Sequence, residues 1–241
     1  MYDYLSRLPR GAGPAAAITT DEHPMTNTGE AARPTPTIEA ESLGELWIIH
    51  QKKILVGAIV VAASAGGFWL YQRSGQIKEE KGGLAYAAAE ASFMGGNQAI
   101  AIPELEKVVS RYQGTTAGTQ AAMLIAQSLM DQGKGPEAVT VLESALRSAP
   151  KALTAGVQSL IGAAYESQGK PTEAAAAYAR AAAASAFVQD RDMHLIEQAR
   201  NLVAANDLAG AEKIYAEMAR REDSPFAGEA RVRLGEVIGK K

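Results

Sequence analysis

The chain contains no cysteine among its 241 residues. This absence excludes disulfide bonds, thiolate metal sites and cysteine nucleophiles, because each of them needs a thiol group. Aromatic residues are also scarce, at 6% of the sequence with two tryptophans. Any core in such a chain is therefore built mainly from small and aliphatic side chains, which allow helices to approach one another closely.

An excess of positive charge is missing as well, since 24 lysines and arginines against 27 aspartates and glutamates leave a net charge of −3. A nucleic-acid-binding surface needs clustered basic residues, so no nucleic-acid partner is expected. No HExxH, GxSxG or Walker-type phosphate loop is present. The sequence therefore predicts no enzyme, no cofactor, no metal site and no small-molecule substrate.

Residues 1–41 form a polar tail in which five prolines interrupt any helical or strand period. Such a segment cannot bury enough apolar surface to offset its chain entropy, so we expect it to be disordered unless bound. Apolar side chains concentrate only at its beginning, at Tyr2, Tyr4, Leu5 and Leu8. These four are candidate docking residues for a partner, and an ordinary chain terminus is the alternative interpretation.

Residues 54–71 read ILVGAIVVAASAGGFWLY and carry no charge. Eighteen helical residues span about 27 Å, close to the hydrocarbon thickness of a bilayer. We therefore predict a single transmembrane helix within a second segment, residues 42–73, with the lipid bilayer as a partner. A buried core helix is the alternative, but nothing else in the chain is apolar enough to surround one. The residues expected at the two membrane interfaces are Trp47, Lys52, Lys53, Trp69, Tyr71 and Arg73.

Within this span, Ala58, Ala62 and Gly66 recur every four residues and form a stripe of small side chains. Small residues at this spacing let two transmembrane helices approach closely, so the stripe predicts packing against a membrane partner. Two basic residues lie shortly before the span and three shortly after it. This charge count leaves the orientation open.

The third segment, residues 74–241, repeats itself. QGKGPEAV at residues 132–139 returns as QGKPTEAA at residues 168–175, and Thr-Ala-Gly occurs at 116–118 and again at 154–156. A period of about 34 to 38 residues with two helices per unit is the signature of a helical solenoid. The predicted fold class is therefore all-α, with a disordered tail, one transmembrane helix and a solenoid of helical hairpins.

The first clear unit has one helix over residues 117–131 and a second over residues 136–148. Gly133 is placed to adopt a left-handed conformation between them. Two further units follow, preceded by a degenerate unit over residues 83–112 and followed by a closing helix over residues 226–238. The side chains predicted to meet between paired helices are Ala126, Leu129, Ala138, Leu142 and Ala145, then Gly162, Tyr165, Ala174, Tyr178 and Ala181, and then Ala199, Leu202, Ala211, Tyr215 and Met218.

This order of small, large and aromatic residues resembles the tetratricopeptide repeat. A short tail, one span and a degenerate tetratricopeptide-like domain are similar to the membrane-anchored tetratricopeptide-like proteins that accompany the bacterial Sec translocon. The sharpest pieces are the basic residues before the span, Leu84-Ala-Tyr86, and LIAQSLMD at residues 124–131. The resemblance implies a single-pass protein of the bacterial inner membrane, with its tail in the cytoplasm and its solenoid in the periplasm.

Two polar groups are candidates for binding. Four arginines, Arg111, Arg180, Arg220 and Arg221, form either a clamp for a peptide carboxylate or a set of solvated helix ends. Three acidic residues near His194, namely Asp190, Asp192 and Glu197, form either a cation site or a solvated face. His194 itself is interpreted as a residue on a helix surface.

These features favour a non-catalytic scaffold, a structural or assembly subunit of a larger bacterial membrane protein complex such as a respiratory or photosynthetic one. The span, the tail and the solenoid would each contact other subunits. The alternative, which rests on the resemblance, is a factor at the Sec translocon that hands secreted chains to periplasmic chaperones. An anchored enzyme is a third hypothesis that no motif supports.

Overall fold

The computed structural model describes residues 40–240, with side chains from residue 51 onward. The predicted docking residues Tyr2, Tyr4, Leu5 and Leu8 lie outside the described residues, and so does the side chain of Trp47. The chain divides into two units, Met1–Ala58 and Ile59–Lys241. The described part of the first unit is helical, and the second unit contains all the helical hairpins.

The described residues form helices and contain no strand, which confirms the all-α fold class. Each helix from α2 onward packs against the helix that follows it, as expected for a chain of helical hairpins. The helices are α1 (Ala40–Met94), α2 (Gln98–Arg111), α3 (Thr116–Asp131), α4 (Gly135–Leu146), a 3-10 turn (Lys151–Leu153), α5 (Thr154–Ser167), α6 (Pro171–Ala184), α7 (Val188–Ala204), α8 (Leu208–Ala219) and α9 (Ala227–Ile238).

Helix α1 is 55 residues long and includes both the apolar segment and the first helix of the solenoid. It crosses the predicted division between residues 73 and 74 without interruption, because no proline occurs between Pro36 and Pro103 to end it. By length and composition alone, its Gln51–Met94 stretch can cross a membrane: the most apolar 18-residue window has a mean hydropathy of 1.9, and none of that window is buried. The division into segments stays a prediction.

Three equivalent turns connect the paired helices of successive units. Gly133 and Gly169 adopt φ angles of 75° and 68°, which confirms the left-handed conformation expected at Gly133. Asn206 takes the same position in the third unit with φ 63°, since Asn tolerates this region better than most residues. Next to it, the Asp207 carboxylate accepts the Gly210 N–H at 2.9 Å and caps α8. Local turn chemistry therefore sets the period of the solenoid.

Three apolar clusters follow one another along the solenoid. The first cluster contains residues of α1, α2 and α3 around Leu105, and the second contains residues of α3, α4, α5 and α6 around Leu142 and Ile161. The third contains residues of α7, α8 and α9 around Tyr215 and Met218. Most side chains predicted to meet between paired helices are buried, and four of them are half-buried. The half-buried ones are Leu129, Ala145, Tyr165 and Leu202.

Candidate protein interaction surface

The first helices of three successive units line one groove. Helices α1, α3 and α5 contribute its walls, and its volume is about 390 Å³. Met94 is 74% exposed beside it, and Met123 and Leu160 are half-buried in its wall. Glutamines Gln120 and Gln127 provide amide donors and acceptors along the same surface. The groove therefore offers flexible apolar contacts together with groups that pair with a peptide backbone.

A fixed aromatic residue lies at one wall of this groove. The Tyr86 hydroxyl donates to Glu90 Oε1 at 2.8 Å, one helical turn further along α1. Burial, this hydrogen bond and the negative charge of Glu90 together raise the pKa of Tyr86 to about 12. The phenol is therefore neutral at physiological pH and held in place. It gives the wall a rigid element beside the flexible methionines.

A polar junction ties the second unit to the third. Glu166 on α5 accepts hydrogen bonds from Tyr178 Oη at 3.0 Å, Arg200 Nη2 at 3.0 Å and Asn201 Nδ2 at 2.6 Å. Burial alone would raise the pKa of Glu166, but these hydrogen bonds outweigh it and hold the pKa below its usual value. Arg200 also pairs with Glu197. The junction therefore links the α5–α6 hairpin to α7, the first helix of the next unit.

A second junction fixes the end of the solenoid. The Asp192 side chain on α7 is fully buried, and it accepts from Arg221 Nη1 at 2.6 Å and from Ser224 Oγ at 2.7 Å. Both carboxylate oxygens are thus used within the protein. Among the described residues, no cluster of three His, Asp or Glu residues is placed to hold a metal ion. The interpretation of Asp192 as part of a solvated face is wrong, whereas Asp190 is exposed.

His194 is also not on the surface as predicted, since it is only 4% exposed. Helix α7 packs against both α6 and α8, so a position that looks polar along the helix is covered by its neighbours. The His194 Nδ1 atom is buried and has no hydrogen-bond partner within the part of the chain that the structure describes. Burial lowers the pKa of His194, with a smaller opposing effect from the charge of Asp190. Burial therefore favours the neutral form of the imidazole.

The four arginines do not form one clamp. Arg221 is committed to Asp192, and Arg180 Nε donates to Gln158 Oε1 at 3.0 Å. Arg111 and Arg220 are exposed. The sequence did not reveal how the polar residues that join the units pair, because partners 29 to 35 positions apart leave no local pattern.

The residues predicted to contact the membrane lie along α1. Arg73 is placed over the ring of Trp69, 5.9 Å from its centroid, as in a cation–π pair. Lys52, Lys53, Tyr71 and the small residues Ala58 and Ala62 are exposed. Among residues 40–240, Gly66 has no atom of a neighbouring element within 4 Å of the position that a Cβ would occupy. Along this stretch no other described element covers the helix.

Residues 45–157 match the family model of the tetratricopeptide repeat-like domain. The match begins within α1, before the apolar segment, and ends at the start of α5. No curated protein matches the chain significantly. A domain of this type implies protein–protein interaction, in agreement with the groove between α1, α3 and α5. Residues 45–157 of the chain are therefore similar to a tetratricopeptide repeat-like domain, a type of domain that points to protein partners.

Proposed function

We propose that this protein is a non-catalytic, membrane-anchored scaffold in the bacterial inner membrane, and that its solenoid binds other subunits of a larger membrane protein complex. The observation that carries the proposal is the continuity of α1. An exposed apolar stretch with Phe68, Trp69 and Leu70 each about 60% exposed runs directly into the first solenoid helix. The membrane tether and the first wall of the groove are therefore one element.

Physical considerations support this role. Leaving such a run of apolar side chains in water costs about 25 cal/mol for each Å² of surface, which a bilayer or a partner helix removes. A preformed helical groove binds with little ordering cost, and a membrane tether raises its effective concentration beside membrane partners. Energy-transducing complexes, respiratory or photosynthetic, are candidate hosts. The orientation, with the tail in the cytoplasm and the solenoid in the periplasm, rests on the family resemblance.

The methionines of the groove favour a second candidate function. Met94 and Met123 have flexible, polarizable side chains, which suit surfaces that accept many different sequences. A factor that receives secreted chains at the Sec translocon and hands them to periplasmic chaperones needs such a surface. Crosslinking from Met123 separates the two candidates, because a scaffold captures one fixed partner and a handover factor captures many unfolded chains.

The main experiment is purification through a tag at Lys241 in a mild detergent, followed by native mass separation. One set of partners at fixed stoichiometry supports the scaffold, whereas a shifting set that contains translocon components supports the alternative. Replacement of Ala58, Ala62 and Gly66 by Leu should reduce recovery of a membrane partner at least tenfold. The matched control places Leu at Val60 and Ser64, on the opposite face of the helix. Unchanged recovery with the first variant would show that the span does not bind the partner.

The orientation can be tested by labelling a single introduced cysteine, because the chain contains no cysteine of its own. A single cysteine introduced at Gly239, near the end of the solenoid, should react in intact spheroplasts with a maleimide that does not cross membranes. Reaction only after the membrane is broken would place the solenoid in the cytoplasm and exclude the periplasmic role.

A further inference from the structure

The part of α1 that follows the apolar stretch is fixed to the loop between α2 and α3. Lys78 Nζ donates to the Gln113 carbonyl at 2.6 Å, and the Thr116 N–H donates to the Glu79 carboxylate at 2.9 and 3.2 Å. One turn further along, Gly82 lies against Tyr112, where an added Cβ would be 3.1 Å from the ring carbon Cγ. The α2–α3 loop is therefore held beside α1 close to the end of the apolar stretch.

The height of this loop above a bilayer follows from helix geometry. The apolar stretch ends at Tyr71, and a rise of about 1.5 Å per residue puts Lys78 about 10 Å further along the helix axis. The headgroup layer on each side of a bilayer is about 5 to 7 Å deep. If α1 crosses the membrane, the loop stands only a few ångströms above the headgroups. This distance is shorter than the Debye length of about 8 Å at physiological salt.

The order of the helices places a second loop at the same end. Paired helices run antiparallel, so loops alternate between the two ends of the solenoid. The α2–α3 and α4–α5 loops lie at the end where α1 leaves the apolar stretch, and the α1–α2 and α3–α4 loops lie at the other. The α2–α3 and α4–α5 loops are in contact, because a Cβ at Gly114 would be 3.7 Å from the Ser148 carbonyl oxygen. The two loops therefore form one continuous edge.

Four basic side chains lie along this edge. All four are exposed, and none forms an ion pair within residues 40–240. The acidic residues closest to them along the chain, Glu104, Glu106 and Glu143, are each positioned further from the loops. The carboxylate of Glu79 on α1 does reach the α2–α3 loop, where it accepts the Thr116 N–H. We call these four residues the basic rim: Lys107, Arg111, Arg147 and Lys151.

We propose that the basic rim binds the anionic phospholipid headgroups of the membrane that α1 crosses, and so holds the first two units down on the bilayer surface. The inference rests on the proposed membrane anchoring. Guanidinium groups pair well with phosphate oxygens, and each basic residue near an anionic surface strengthens attachment about fivefold. A rim held in this way positions the groove between α1, α3 and α5 at a constant height above the membrane.

The test uses the full chain in vesicles of neutral phosphatidylcholine, with or without about a third of anionic phosphatidylglycerol. A fluorescent probe on a single cysteine at Ser110, next to Arg111 of the basic rim, reports quenching by lipids that carry a headgroup quencher. Quenching should rise at least threefold in the anionic vesicles and return to the neutral value in high salt. A probe at Gln132, in the α3–α4 loop, is the matched control and should not respond.

Charge changes complete the test. Arg111→Glu with Arg147→Glu should remove the increase at Ser110, and Lys134→Glu with Lys170→Glu, at the opposite end, should leave it. The milder pair Arg111→Gln and Arg147→Gln answers the question if the first variant unfolds, and circular dichroism monitors folding. If the chain floats with both kinds of vesicle but quenching is equal in them, the proposed contact between the basic rim and anionic headgroups is wrong, and the membrane anchor is not affected. A chain that does not float with vesicles would overturn the membrane anchor as well.

Discussion

The ring of Tyr178 on α6 lies directly against the backbone of Gly162 on α5, so that an added Cβ at Gly162 would be 2.9 Å from the ring atoms Cε2 and Cζ. Tyr178 is only 4% exposed, and its hydroxyl donates to Glu166 at 3.0 Å. The ring therefore has little freedom to move aside. This contact shows why small and large residues alternate between paired helices: one fills the space that the other leaves.

Gly162→Ala should destabilise the solenoid by about 1 to 2 kcal/mol, because overpacking outweighs the better helix propensity of Ala. Gly156→Ala on the same helix is the matched control. Its Cβ would be 3.4 Å from the flexible end of Met123, so a gain of about 0.5 to 1 kcal/mol is expected. Urea unfolding in detergent, followed by circular dichroism, measures both. Equal effects of the two substitutions would contradict this packing.

Asp192→Asn should cost about 2 to 4 kcal/mol of unfolding free energy. The amide carries no charge, so Arg221 loses its ionic partner at a buried position, and Ser224 keeps a hydrogen bond only by accepting from the amide instead of donating. Asp223 is an exposed neighbour of Ser224 in the loop between α8 and α9, and Asp223→Asn should change the unfolding free energy by less than about 0.5 kcal/mol. Thermal unfolding of the two variants makes the comparison. A small loss for Asp192→Asn would mean that the junction is dispensable.

The burial of His194 predicts a loss of stability in mild acid. Its pKa in the folded chain lies below the ordinary value of 6.5, so below that pH the unfolded chain takes up a proton that the folded chain does not. Stability should therefore fall as pH decreases from about 6.5, by at most about 1.4 kcal/mol per pH unit. His194→Gln should remove this part of the pH dependence between pH 7.5 and 5.5. An unchanged slope in the variant would assign the effect to other groups.

Glu79→Ala should lower the stability of the solenoid by about 1 kcal/mol, because the carboxylate caps the first turn of α3 at Thr116. Glu80→Ala changes the neighbouring exposed residue and is expected to have little effect. Hydrogen exchange at the start of α3 gives a local measurement, and protection should decrease only in the Glu79 variant. Equal protection in both variants would argue against the cap.

Signals within a few residues of one another made the helices and turns predictable. The left-handed glycine at Gly133 is such a signal, and so is the Thr-Ala-Gly sequence, which begins α3 at Thr116 and α5 at Thr154. Composition alone indicated the apolar segment. It did not reveal that α1 continues past residue 73, because a change from apolar to polar residues marks a change of surroundings rather than the end of a helix.

The polar junctions could not be predicted because their members are far apart in the sequence. Asp192 meets Arg221 and Ser224 across 29 and 32 positions, and Glu79 meets Thr116 across 37. His194 lies on α7, which packs against α6 and α8, and its burial depends on that packing rather than on its own neighbours in the chain. A periodic pattern indicates that a helix has a covered face, but not how much of a polar residue is covered.

Because α1 is one unbroken helix, the number of residues in it determines the direction in which the solenoid faces. Between Tyr71 and Lys78 the helix has no hinge, so inserting one residue there would turn the solenoid by about 100° about the helix axis, and inserting seven would nearly restore its original heading. If α1 crosses a membrane as proposed, the number of residues between Tyr71 and Lys78 sets the direction in which the groove faces a neighbour in that membrane. A short stretch of α1 then determines the rotational orientation of the whole solenoid.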